Sequence, residues 1–159
     1  MNKNLVEKII AVVRSAGEMM KPENIEVIQK GNASNFVTTA DLKVQEFLKT
    51  ELLDLIPGSA FVGEEEDGAA ITGNVINGTT NMEYIWVVDP IDGTSNFIRE
   101  IGMSAISVGL LKWGKPYAGV LYQEGFPLDR PVALVGANTK ENFEKIKEIV
   151  CEEIKELPY

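Results

Sequence analysis

The stretch that constrains this chain most is Trp86-Val87-Val88-Asp89-Pro90-Ile91-Asp92-Gly93-Thr94-Ser95-Asn96-Phe97. Tyr84 to Val88 is a nearly continuous apolar run, which reads as a strand buried on both faces. Two carboxylates stand where it ends. Asp89, Pro90 and Gly93 are the residue choices of a tight β-turn, whose first and last Cα atoms lie within about 7 Å. Asp89 and Asp92 can therefore face one small volume. Paired divalent ions in phosphatase and nuclease sites need such closeness, because they sit about 3.5–4 Å apart. Standing alone, Asp-Pro-x-Asp-Gly is a common surface turn. Here the acids sit at the carboxyl end of a buried strand, the edge at which open α/β sheets bind ligands.

Composition narrows the chemistry. The 159 residues carry a formal net charge of −9 and 45% apolar residues, which fits one soluble domain and excludes nucleic-acid binding by a basic surface. Cys151 is the single cysteine and there is no histidine, so neither a disulfide, nor a zinc site, nor His-based acid–base catalysis is expected. A metal here would be a hard, oxygen-liganded ion such as magnesium or calcium. The amino terminus has no signal-type apolar core and no run able to cross a bilayer, so the reading is a cytoplasmic protein.

In chain order, Leu5, Val6, Ile9, Ile10, Val12, Val13, Ala16, Met19 and Met20 predict an amphipathic helix over about residues 4–20, stopped by Lys21-Pro22. Strands are expected at 25–29 and 36–38, with a turn at 31–35. Thr38 is a good N-cap for a second helix, and Asp41 can reach back to it. Leu42, Phe47, Leu48, Leu52, Leu55 and Ile56 are expected to form that helix's buried side, and Pro57-Gly58 its end. Asp41 on its own is adequately explained as a first-turn acid favoured by the helix dipole. Ala60 to Gly63 reads as a short strand that again ends in acids, Glu64-Glu65-Glu66-Asp67, where a cation would offset carboxylate repulsion. Residues 68–81 read as a loose excursion or weak hairpin.

Gly93-Thr94-Ser95-Asn96 offers backbone N–H groups and two hydroxyls at a helical first turn, suited equally to capping or to a phosphate. Ile106, Val108 and Leu110 alternate with Ala105, Ser107 and Gly109, giving a strand whose small-residue face a helix can approach. Gly114-Lys115-Pro116 is the expected turn into a return strand ending at Tyr122. A further strand at 131–136 and a helix capped by Asn138 and Glu141 are expected to close the chain.

Together, Thr38-Thr39-Ala40-Asp41, Gly63-Glu64-Glu65 and Asp89 to Phe97 resemble the inositol monophosphatase family, magnesium-dependent and lithium-sensitive phosphatases of inositol and sugar phosphates. The resemblance covers residues 1–122, the metal-binding portion; 123–159 is a divergent strand plus terminal helix. It implies an α/β layered sandwich, in part, with a mixed, largely antiparallel sheet flanked by helices and an uncovered edge or face. It implies that Glu64, Asp89 and the carbonyl of Ile91 hold a first Mg2+, and that Asp89 and Asp92 help hold a second. Gly93, Thr94, Ser95 and the basic Lys30 would receive a small phosphorylated substrate, while Thr94, linked to Asp41 and beside Glu64, would orient and deprotonate the attacking water. It also implies a homodimer. The sequence departs from the family in having no Trp-Asp pair, whose Asp completes the second metal site, and in being shorter than a complete member. The alternative is a truncated, non-catalytic member that binds a divalent cation and associates with another chain.

Overall fold

The computed structural model describes residues 3–22, 25–29, 36–65 and 81–123. Lys30, the acids Glu66 and Asp67, residues 68–80, the turn at 31–35 and the whole expected strand and helix after residue 123 lie outside them. Two helices, α1 (Lys3–Gly17) and α2 (Thr39–Leu55), pack on one face of a four-stranded sheet. The sheet order is β3 (Ala60–Gly63), β4 (Tyr84–Asp92), β5 (Ala105–Lys112) and β6 (Lys115–Gln123). β3 runs parallel to β4, and the remaining pairs are antiparallel, as expected of a mixed, largely antiparallel sheet. β1 (Val27–Gln29) and β2 (Phe36–Thr38) form a separate antiparallel pair, and a short helix α3 (Thr94–Ile98) follows β4.

The core between helices and sheet is built from Ile9, Val13 and Ala16 of α1, Val44, Leu48 and Leu52 of α2, and Phe61, Trp86, Val88, Ile106, Val108 and Leu110 of the strands. The bulky side of β5 thus meets the helices, and its small-residue side, Ser107 and Gly109, turns away. This reverses the expectation of a helix on the small face: large side chains fill the space between layers, where each buried aliphatic contributes roughly 1.5–3 kcal/mol. Val87 is 41% exposed, so β4 is not buried on both faces; an unbroken apolar run alone does not distinguish one covered face from two.

Other boundaries shift for local reasons. α1 ends at Gly17, and the chain then tightens through Met19 N–H to Ala16 C=O and Met20 N–H to Gly17 C=O before reaching Lys21-Pro22. The β5–β6 turn is Trp113-Gly114, both with positive φ (51° and 71°), as a two-residue type I′ hairpin requires. Lys115 and Pro116 already belong to β6. On α2 the buried stripe is Ala40, Asp41, Val44, Gln45, Leu48 and Leu52, at the 3–4 residue spacing of one face, and Leu42 lies outside it at 43% exposure.

This stripe yields a direct test. Leu48→Ala is expected to cost about 2–5 kcal/mol and Leu42→Ala less than about 0.5 kcal/mol in urea unfolding; equal costs would mean that α2 turns a different face to the core.

Candidate functional site

Parallel pairing of β3 with β4, in the register Gly63↔Val88, carries the acids after both strands to the same end of the sheet. An antiparallel pairing would have separated them by a strand length. Glu64 N–H donates to Val88 C=O at 3.0 Å, so Glu64 is tied beside the residue that precedes Asp89.

Asp89 and Asp92 are not at a turn, as the sequence suggested, but within β4. In a regular strand residues three apart point to opposite faces. Between Asp89, paired with Ser107, and Asp92, paired with Ala105, β4 has one residue more than β5, which makes a bulge. The bulge puts both carboxylates on the same side of the ladder. Pro90 sits inside it, where a missing N–H removes no regular ladder bond.

The Asp89 carboxyl is pushed up to about 7 from its ordinary 3.8, first by burial, then by the charge of Glu64 and a side-chain hydrogen bond with it, and then by Asp92. Asp89 Oδ1 is, among the described residues, the one buried side-chain polar atom without a hydrogen-bond partner. Also among the described residues, no three acidic groups are gathered into a ready cation cage. What is preformed is the Glu64–Asp89 pair, with exposed Asp92 acting on it through charge.

A second group approaches from α2. Thr38 caps the helix: its hydroxyl accepts from Ala40 N–H (3.2 Å) and Asp41 N–H (3.3 Å). Asp41 Oδ2 in turn accepts from Thr38 N–H (2.7 Å) and from the Thr38 hydroxyl, the expected capping box. This leaves Asp41 Oδ1, buried, 3.2 Å from Thr94 Oγ1, which also lies 3.0 Å from Ile91 C=O. The expected link between Asp41 and Thr94 is therefore made, and the Ile91 carbonyl belongs to the same cluster. Gly93 starts α3 with φ 84°, and a Cβ there would stand 2.9 Å from Met103 C=O, so only glycine fits. Ser95 is in the first turn of α3, half-buried.

One residue at this site escaped the sequence reading. Gln45, buried on α2, accepts through Oε1 from Glu65 N–H at 3.0 Å. Its signal was its place one turn after Asp41 on the same helix face.

The chain matches the family described as inositol monophosphatase family over residues 1–155. An inositol-1-monophosphatase of Mesorhizobium japonicum is 35% identical over 109 residues, covering 69% of this chain and 36% of the relative, so the chain spans about a third of that protein's length. Among solved structures, the extragenic suppressor protein suhB of Bartonella henselae superposes with TM-score 0.63 at 27% identity, covering 76% of this chain and 45% of that one. An IMPase/NADP phosphatase complexed with Mg2+ and phosphate shares the fold at TM-score 0.60 and 21% identity, over 85% of this chain and 46% of that one.

The raised Asp89 value has a measurable consequence in metal-free protein. Between pH 3.8 and about 7 the folded state keeps a proton that the unfolded chain has released, so this group's stabilising contribution is whole below the lower value and lost as pH rises through the upper. After allowance for solvent screening, wild type is expected to lose roughly 1–2 kcal/mol more than Asp89→Asn between pH 4 and 8 in chelator-treated urea unfolding. Parallel curves for the two proteins would refute the buried, charge-crowded setting of Asp89.

Proposed function

Because the chain belongs to the inositol monophosphatase family, we propose that it hydrolyses a small phosphate monoester, of the inositol monophosphate or sugar phosphate type, with magnesium as cofactor. The observation that carries this reading is the Glu64–Asp89 pair with its unpartnered buried oxygen, followed two residues on by the Ile91 carbonyl that meets Thr94, itself linked to Asp41.

The donor set fits a hard divalent cation, since carboxylate and carbonyl oxygens are what magnesium takes. Glu64, Asp89 and the Ile91 carbonyl would hold a first ion, and Asp89 with Asp92 would help hold a second. Bound there, magnesium would reverse a local field that otherwise repels an anionic substrate, acidify water and stabilise the leaving alkoxide.

The chain's own residues supply the remaining steps. With its proton directed toward Asp41 Oδ1 or Ile91 C=O, the Thr94 hydroxyl keeps a lone pair for a proton of the attacking water. The Glu64 carboxylate offers a second acceptor. Together they orient that water and take its proton as it attacks phosphorus. The Thr94 and Ser95 N–H groups, which precede the first helical bonds from Asn96 and Phe97 to Gly93 C=O, would with the Ser95 hydroxyl receive the phosphate oxygens. Lys30 would add a positive charge near the phosphate. A single cysteine is consistent with the reducing cytoplasm as the place of action.

One observation favours a second reading, a non-catalytic member that binds a divalent cation and pairs with another chain: among the described residues no three acids are gathered into a cage. Release of inorganic phosphate from inositol 1-phosphate, with and without Mg2+ and then with Li+, separates the two. The proposed activity predicts magnesium-dependent release suppressed by lithium, most of it lost in Asp89→Asn, and a loss of about 100-fold in kcat for Thr94→Val. Full activity of Asp89→Asn would overturn the assignment; magnesium binding without phosphate release would establish the second reading.

A further inference from the structure

We propose that Gln45 is a positioning residue of the candidate cation site, its neutral carboxamide fixing the loop that holds Glu64 against Asp89. The inference rests on the proposed role of Glu64 in cation binding, and goes beyond it in naming what keeps that side chain in place.

Glu64 is the middle of three residues whose backbone is fixed from two directions. Its own N–H donates to Val88 C=O at 3.0 Å, on the sheet side. The next N–H, that of Glu65, donates to Gln45 Oε1 at 3.0 Å, on the helix side. The residue before, Gly63, lies so close to Gln45 that a Cβ there would collide with its Oε1 and Cδ. The carboxamide therefore occupies the space that any side chain at position 63 would need.

An amide is an uneconomical way to fill that space unless its oxygen is used. Gln45 is only 6% exposed, on a helix face otherwise made of Val44, Leu48 and Leu52. A polar group so buried costs about 1–3 kcal/mol when it lacks a partner. Its charge matters too: a carboxylate would accept the same N–H but add a negative charge one turn from Asp41 and at the loop that carries Glu64. Gln45 supplies the acceptor without the charge. It also sits four residues after Asp41, so one rigid helical turn carries both the acceptor for Thr94 and the acceptor for the Glu64 loop. The separation between the two halves of the site is set by α2.

The test compares wild type with Gln45→Met, which keeps the volume and loses the acceptor, and with Gln45→Glu, which keeps the acceptor. Leu48→Ala serves as a packing control under conditions where it remains folded. Two measurements are made: hydrogen exchange at the Glu65 amide by NMR, and Mg2+ affinity by calorimetry. The expectation is faster exchange at Glu65 and about 10-fold or more weaker Mg2+ binding in Gln45→Met. Glu65 protection should be kept in Gln45→Glu, and Mg2+ affinity should be unchanged in Leu48→Ala. Wild-type affinity or wild-type Glu65 protection in Gln45→Met overturns the proposal, and so does loss of that protection in Gln45→Glu, the variant that decides should Gln45→Met not fold. Should wild type bind no Mg2+, the cation-dependent function fails, while exchange at Glu65 still decides the role of Gln45.

Discussion

Two carboxyls crowded at one end of the sheet, half-buried Asp89 and exposed Glu64, are the constraint around which this site is arranged. Burial, and next the charge of Glu64 beside it, push the Asp89 carboxyl toward its protonated form. Left to itself such a pair would separate. Three features oppose separation: the parallel β3–β4 register, the extra residue in β4, and the anchorage of the Glu64 loop to both Val88 and Gln45. None of the three is a contact between the acids themselves. The arrangement is stabilised by the surrounding backbone.

Helix α2 shows how one residue can cap its own helix and reach across to the candidate site. Asp41 caps its helix through one carboxylate oxygen and meets Thr94 through the other. The cap fixes the side chain, so the oxygen aimed at Thr94 needs little further ordering. A neutral substitute would have to satisfy both demands at once, which makes the position intolerant for two separate reasons.

Much of this was legible in the sequence, because local chemistry and tertiary structure agree there. The capping box at Thr38, the alternation of β5 and Glu64 directly after β3 all stand where the residues placed them, and the family that those motifs resemble is the one the chain belongs to. The misreadings share a cause. Asp-Pro-Ile-Asp-Gly has turn composition, but pairing with Ser107 and Ala105 keeps it in the sheet as a bulge. Leu42 looks like a core residue by type, and helical phase alone turns it outward. Gln45 looks like surface by type, and only the approach of the Gly63–Glu65 loop, distant in sequence, makes it buried and necessary. Composition signals what a residue prefers; neighbours far along the chain decide what it receives.

The parallel pairing of β3 and β4 also bears on how the molecule comes together in time. β5 and β6 are joined through Trp113-Gly114 and can zip locally, whereas β3 meets β4 only after the chain from Gly63 to Tyr84 has looped back. Closing that loop carries an entropic cost before any pairing repays it, which places this contact after the β5–β6 hairpin. The acidic pair is thus assembled only once that loop has closed, and a cation bound there would slow unfolding rather than hasten collapse.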